Sequence, residues 1–313
     1  YRTGTDSVLM ESLIRAAQNG KEVTVVVELM ARFDEEANIG WATKLEQVGA
    51  HVVYGVVGYK THAKALLIVR REEGGLKRYA HLGTGNYHPR TARLYTDFGL
   101  MTANDEVTRD VSEVFKQLTG LGQARTLKHL WQAPFTLHPN VVAGIQGEAE
   151  IARNGGKARI VAKMNSLVEP EVIDALYQAS QAGVDIDLIV RGVCMLRPGV
   201  PGLSENIRVR SIIGRFLEHH RIFYFLAGGK ETVYLSSADW MERNFFKRIE
   251  LAFPILDPKL KRRVITEGLK FYLADNQQGW EMNSQGTYQR RRSTRSKPHN
   301  AQGELMVTLG SGT

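Results

Sequence analysis

Apolar runs alternate with polar, glycine-punctuated stretches along this chain, and the alternation predicts helices and strands in turn. Asp6 or Ser7 caps a helix that reaches about Asn19 and stops at Gly20. The run from Val23 to Leu29, rich in β-branched residues, reads as a parallel-sheet strand buried on both faces. Asp34 opens a second helix, 35–48, ended by Gly49. Strands are expected at 51–54, around His62, at 77–82 after a Gly74-Gly75 turn, and at 96–102, before a helix over 107–118. A stretch without period, about 125–139, leads into a second series. It holds a helix over 139–154, a strand at 158–164, a helix over 169–182, a strand at 186–190 and a closing helix over 258–274. From Asn276 the chain turns polar and basic, and little structure is expected there. The fold class is α/β, each half a mixed, mostly parallel sheet with helices on both faces; the hairpin near Gly74 makes it mixed.

The two series are versions of one another. Leu82-Gly83-Thr84-Gly85-Asn86-Tyr87, Arg90 and Asp97-Phe98-Gly99-Leu100 reappear as Leu235-Ser236-Ser237-Ala238-Asp239-Trp240, Arg243 and Glu250-Leu251-Ala252-Phe253, each 153 positions on (86 to 239, 97 to 250). His62-Ala63-Lys64 reappears as His219-His220-Arg221, 157 positions on (62 to 219). The helix at 12–20 matches 175–183 at an offset of 163 (12 to 175). One order in both halves implies an internal duplication, with the halves related by a pseudo-twofold. The expected division is 1–128, 129–275, and a poorly ordered basic tail, 276–313, where Arg290, Arg291, Arg292, Arg295 and Lys297 cluster. The counterpart of the strand at 158–164 would lie before Tyr1. The first domain is therefore expected to lack its first strand, and the chain to be a fragment.

A length of 313 residues allows two cores of ordinary domain size. The net charge of +8 favours anionic partners such as nucleic acid, acidic lipid or polyphosphate. One cysteine, Cys194, excludes an intrachain disulfide and a cysteine metal cluster, and fits a reducing, cytoplasmic setting. No apolar run reaches the ~18 residues of a membrane span.

In a strand, residues i and i+2 share a face, which would stand His62 beside Lys64 and His219 beside Arg221. An imidazole next to a fixed cation suits attack on an anion, the ring acting as nucleophile or base and the cation neutralising phosphate oxygens. Functional residues of α/β sheets gather at strand ends and the loops after them. That groups Arg32, His62, Lys64, Asn86, Arg90 and Arg93 in the first half, and Arg191, Arg197, His219, Arg221, Asp239 and Arg243 in the second. Halves brought face to face would join two histidines over a basic site suited to in-line phosphoryl transfer, with arginines as bidentate clamps. Plainer roles are assigned elsewhere. His81 and His88 flank a turn, Tyr87 and Trp240 pack, Asp34, Glu35 and Glu36 charge a helix start, and Cys194 is a small buried group.

The doubled His-x-Lys/Arg followed by a Gly-Thr-x-Asn type turn resembles the phospholipase D superfamily. It departs from that pattern at Val69, where the superfamily has an aspartate, and at Asp239, which replaces the asparagine. Longer stretches over about 1–275 resemble the type 1 polyphosphate kinase family. They are Tyr1-Arg2, 26–38, Gly83-Thr84-Gly85-Asn86-Tyr87, Thr91-Ala92-Arg93-Leu94-Tyr95-Thr96-Asp97, Leu188-Ile189-Val190-Arg191-Gly192-Val193-Cys194 and Gly214-Arg215-Phe216-Leu217-Glu218-His219. The resemblance implies two tandem phospholipase D-like domains, which in the family follow an amino-terminal and a helical domain. It also implies reversible transfer of the ATP γ-phosphate to the end of inorganic polyphosphate, through a phosphohistidine and with Mg2+.

His62 matches the phosphorylated histidine and His219 the second active-site histidine, with Lys64 and Arg221 beside them; His220 falls where the family has a small polar residue. Tyr95 and Arg191 match nucleotide-contacting positions, and Asn86 and Arg93 are grouped with them for ATP and phosphate. Arg2 and Arg32 match positions attributed to the Mg2+ site. An arginine has no lone pair free for a cation, so these two read as phosphate clamps beside the metal. The partners implied are ATP/ADP, polyphosphate, the upstream domains of the same protein and further copies in a homo-oligomer, with no specific nucleic acid. The location implied is cytoplasmic, with membrane association. Two other classes fit the same residues: a phospholipase D-type phosphodiesterase or nuclease, and a catalytically silent polyanion-binding module.

Overall fold

The first half builds two small sheets. The computed structural model describes residues 1–120, 126–291 and 297–310. Arg125, Arg292 and Arg295 lie outside them. Ser7 caps α1 (Val8–Gln18) with its side chain, and β1 (Thr24–Val27), α2 (Glu35–Gln47) and β2 (His51–Tyr54) follow. β1 pairs in parallel with β2 as a two-stranded sheet. Then come β3 (Lys60–Thr61), β4 (Lys64–Glu72), β5 (Gly75–Gly83), α3 (Pro89–Leu94), β6 (Tyr95–Thr96), β7 (Gly99–Thr102) and α4 (Asp105–Leu118). β4, β5 and β7 form an antiparallel sheet of three, with the expected hairpin at Gly74.

The second half builds one large sheet. Its elements are β8 (Trp131–Ala133), α5 (Leu137–Arg153), β9 (Arg159–Met164), α6 (Pro170–Gln181), β10 (Asp185–Val190), β11 (Ile207–Ile212), β12 (Leu217–Glu218), β13 (Arg221–Phe225), β14 (Thr232–Ser236), α7 (Glu242–Phe246) and β15 (Arg248–Pro254). A continuous helical stretch follows: α8 (Pro258–Arg263), a π-helical segment (Val264–Lys270) and α9 (Phe271–Ala274). Last come β16 (Gly279–Met282), β17 (Tyr288–Arg290) and α10 (Ala301–Gly310). The strand order is β17-β16-β11-β10-β9-β13-β14-β15-β3, with β8 also on β15. The sheet is mixed: parallel through β9, β10 and β11, antiparallel through β13, β14 and β15. Antiparallel pairings in this sheet therefore outnumber parallel ones, against the expected parallel majority.

β9 unifies the second sheet, because it pairs with β10 on one side and β13 on the other. No described strand does this between β1 and β4, so the first half stays split. For the same reason β1 is not buried on both faces as expected. Only Val27 of its four residues is buried, against five of six in each of β9 and β10.

The period-2 alternation of β13 feeds two cores. Phe223 and Phe225 face a cluster with α5 and α6. Ile222 and Tyr224 face a second cluster that takes Val107, Val111 and Val114 from α4 and Ala80 and Leu82 from β5. That second core is shared by both halves and joins them. The third, Met10, Trp41, Leu45 and Ala50, belongs to the β1–β2 unit alone.

Three further expectations change. The strand at 96–102 breaks into β6 and β7, with Asp97 at the break. Asp34 stands at the α2 N-cap position without capping it through its side chain. The tail is not poorly ordered in its described part. β16 and β17 extend the sheet beyond β11, and Gln302 of α10 donates to Glu218 Oε1 at 2.6 Å.

Candidate active site

Neither histidine lies in a strand. His62 sits in the break between β3 and β4, and His219 in the break between β12 and β13. Each break lets the chain change partners. β3 pairs with β15 of the other half (Lys60↔Arg248, Thr61↔Ile249), and β12 pairs with β6 (Leu217↔Tyr95, Glu218↔Thr96). These pairings repeat the sequence offsets of 157 and 153 (60 to 217, 95 to 248).

The exchange gives each histidine a carboxylate from the other half. His62 Nδ1 donates to Glu250 Oε2 at 2.9 Å, and His219 Nδ1 donates to Asp97 Oδ1 at 2.7 Å. The backbone sets both pairs, since His62 N donates to Ile249 O and His219 N to Thr96 O, one residue before each carboxylate. The hydroxyls of the repeated turns hold the carboxylates in place. Thr84 Oγ1 donates to Asp97 at 3.1 Å, and Ser237 Oγ donates to Glu250. A carboxylate can only accept, so Nδ1 carries the ring proton and Nε2 keeps its lone pair.

The environment keeps both rings neutral. Burial, reinforced by Lys64, Arg248 and Arg221, holds His62 well below the usual imidazole value. Burial and Arg221 bring His219 down to about 4, against the pull of Asp97. Burial pushes the Asp97 carboxyl up, but the bond to His219 together with the neighbouring His219, His220 and Arg221 outweighs this and holds it down. Glu250 is fully buried and raised by that burial, although Lys64, Ser237 and Arg248 oppose the rise.

The two cations do not stand flat beside their histidines as a regular strand would place them. Lys64 Nζ donates back to the His62 carbonyl, and Arg221 Nη1 to the His219 carbonyl at 2.6 Å. Arg221 also forks onto Asp239 with two bonds of 3.1 Å, and Asp239 accepts from Asn165 N and Ser166 N. Burial lowers Lys64 to about 7, whereas for Arg221 the Asp239 fork together with Glu250 and Asp97 outweighs burial and raises it. At the position equivalent to Asp239 the first half has Asn86, whose buried Oδ1 has no hydrogen-bond partner. Arg221 thus has its acid built in, and Lys64 does not.

Around this centre, the Tyr95 ring lies 5.0 Å from His219 and the Tyr1 ring 4.7 Å from His62. Arg191 Nε donates to the Glu218 carbonyl at 2.8 Å. Tyr95 and Arg191 line one cleft with Ile213, Arg215 and Phe216, of about 590 Å³. Arg93 is exposed on α3, two residues before Tyr95. Arg2 donates to the Arg32 carbonyl at 3.0 Å and pairs with Asp34 at 3.3 Å, while the exposed Arg32 guanidinium stacks 4.9 Å from the Phe33 ring. Phe33 holds φ 73°, a left-handed turn that places both arginines around its ring. The arginines offer no lone pair to a cation, and Asp34 is already engaged by Arg2 and by His88 at 3.5 Å.

The plainer assignments are as follows. His81 pairs with the Tyr87 hydroxyl at 2.7 Å, His88 caps α3, and Trp240 is fully buried against Phe223. Burial pushes the Cys194 thiol up to about 11. The residues that sequence reasoning left without a role are Asp97, Glu250, Thr84 and Ser237. All four stand in the repeated set, so the shared 153-residue offset was the signal that could have found them.

Residues 1–124 match the family model for polyphosphate kinase C-terminal domain 1, and residues 130–302 match that for polyphosphate kinase C-terminal domain 2. A polyphosphate kinase of Paraburkholderia phytofirmans is 69% identical over 310 residues, covering 98% of this chain and 45% of the relative. One of Burkholderia cenocepacia is 69% identical over 297 residues, covering 94% and 43%. The crystal structure of polyphosphate kinase from Porphyromonas gingivalis superposes with a TM-score of 0.92 at 40% identity, over 99% of this chain and 47% of that one. The chain thus spans about half the length of the relatives it matches.

Proposed function

The chain belongs to the polyphosphate kinase family, and from that premise we propose that it carries the phosphoryl-transfer site of such an enzyme. His62 Nε2 attacks the γ-phosphorus of ATP and ADP leaves. The phosphate on Nε2 then passes to the terminal oxygen of inorganic polyphosphate, and both steps reverse. The observation that carries this reading is the reciprocal pairing of two neutral histidines with carboxylates from opposite halves, Nδ1 bound and Nε2 free. Phosphorylation at Nε2 leaves the ring cationic, and the fully buried Glu250, steadied by Ser237 and Asn244, answers that charge. His62 is favoured over His219 because Lys64 has no built-in acid and can follow a phosphate, whereas Arg221 is already clamped to Asp239. His219 steadies the transferring phosphate from the other side.

The cleft at Tyr95 and Arg191 receives the nucleotide, and Asn86, Arg93, Arg2 and Arg32 contribute polar groups to its phosphates or to the polymer. Mg2+ would withdraw charge from those phosphates. The Arg2–Arg32 corner does not fit direct coordination of the ion, and its arginines would hold phosphate oxygens instead. Upstream domains of the same protein are partners of this chain, and the full-length protein assembles with copies of itself. No helix among the described residues is long and apolar enough to cross a membrane. A cytoplasmic location with membrane association is part of the same proposal.

The test is mass spectrometry of the full-length protein after incubation with γ-labelled Mg-ATP. Wild-type protein acquires acid-labile phosphate on His62, and His62→Ala acquires none. Phosphate on His219 in the wild type, or undiminished label in His62→Ala, overturns the assignment.

A further inference from the structure

A second cluster of chemistry-bearing side chains lies at the starts of α5 and α6, and the phosphoryl-transfer reaction makes no use of it. His138 stands in the first turn of α5, Glu169 is the N-cap of α6, and Glu171 follows in its first turn. We propose that His138, Glu169 and Glu171 bind one divalent transition-metal ion, with zinc the best match.

The geometry is that of a ligand set. His138 Nε2 lies 3.2 Å from Glu169 Oε2 and 3.6 Å from Glu171 Oε2, and all three ligand atoms fall within 4.8 Å of one another. Four ligands around zinc at 2.0–2.2 Å form a tetrahedron whose edges are about 3.3–3.6 Å. The two distances from His138 Nε2, 3.2 and 3.6 Å, are close to that size. His138 is 7% exposed, and its Nε2 is buried without a hydrogen-bond partner, which is costly for an imidazole nitrogen unless something else engages it. The ring packs against both Phe245 and Phe246, each 4.9 Å away, which restrains its orientation. Glu169 Oε2 accepts from Val172 N at 2.7 Å and keeps a second lone pair. Glu171 is 66% exposed in its side chain and leaves a solvent path for entry and for a water as fourth ligand.

The donor set also selects the metal. One imidazole nitrogen with two carboxylates suits zinc and its first-row neighbours, whereas magnesium and calcium prefer oxygen alone. The site is wired to the catalytic centre on two sides. Glu169 N donates to Trp240 O, the residue after Asp239, and Phe245 follows Asn244, which donates to Glu250 at 2.9 Å. A bound ion would therefore stiffen both segments that carry the second half's acids.

The experiment uses metal-free protein without nucleotide or polyphosphate, titrated with Zn2+ and separately with Co2+. The expected results are one ion per chain, visible Co2+ bands of tetrahedral intensity, and a Tm that rises with Zn2+. Glu171→Gln, at an exposed position that leaves the fold intact, should weaken binding at least about tenfold, and His138→Gln should abolish it. The His62→Ala, His219→Ala double variant should bind as the wild type does. Binding unchanged in Glu171→Gln and His138→Gln, binding lost in the double variant, or no stoichiometric binding in the wild type would each overturn the proposal. The last result would leave His138 and the two glutamates as an ordinary ion-pair cluster.

Discussion

Both halves of this chain carry the histidine break, the repeated turn and the carboxylate in the same order, yet one closes a sheet around β9 and the other, with no described counterpart of β9, leaves two sheets apart. In the second half β9 ties the parallel strands to the hairpin, and large apolar clusters form on both faces. In the first, the unit of β1, β2, α1 and α2 keeps a core of four buried apolar residues to itself, while β4, β5 and β7 share their packing with the second half. The break at the histidine, the repeated turn and the carboxylate are nonetheless reproduced in both. A duplicated site survives unequal domains here because its geometry is set by pairing across the halves, β3 on β15 and β12 on β6, rather than within either one.

The two carboxylates give the sharpest way to break the comparison. Glu250 is fully buried among donors, whereas the Asp97 side chain is 22% exposed. Glu250 also stands 3.7 Å from the Arg248 guanidinium, and removing the buried partner of an ion pair costs about 3–5 kcal/mol, so Glu250→Ala should lower the urea midpoint by that equivalent. Asp97→Ala should cost only about 1 kcal/mol, the scale of a partly solvated hydrogen bond. Equal shifts would mean that the halves hold their histidines alike.

Hydrogen exchange reads the next difference. Amides of β1, in a two-stranded sheet with a small core, should exchange at least roughly 100-fold faster than those of β10, since protection follows the local opening free energy. Matching protection would contradict the split of the first sheet.

The smallest effect concerns the turns. A Cβ at Gly85 would collide with the Asp97 carboxylate, whereas its counterpart Ala238 carries one and Glu250 reaches past it on a longer side chain. Gly85→Ala should therefore cost about 1–3 kcal/mol of strain and displace the His219 ring, visible as a shift of its NMR resonances. Ala238→Gly should cost only about 0.5–1 kcal/mol. A silent Gly85→Ala would show that the Asp97 position is not set by the missing side chain.

Much of this architecture was legible in the residues themselves. Ser7 and Gly20 bound α1, Gly49 ends α2, Gly74 marks the hairpin, and the offsets of 153 and 157 place both histidines and their turns. These signals are local chemistry (caps, turns and periodicity) or self-similarity, and neither needs a three-dimensional partner to be read. The ordered tail was not legible. The segment 276–290 looks like polar linker because antiparallel strands at the rim of a sheet, such as β16 and the edge strand β17, need few apolar residues of their own when β11 supplies the template.

The sequence by itself determined the α/β elements, their duplication and the histidines that pair with basic residues. Only the tertiary structure decided what each of those histidines touches. A strand would have set His62 and Lys64 side by side, but the break at each histidine redirects the chain, and the cation folds back to close the bend. Glu250 lies 188 positions from His62, and nothing around either residue marks the other. Their contact follows from β3 pairing with β15, a long-range register chosen by the packing of two halves across a shared core.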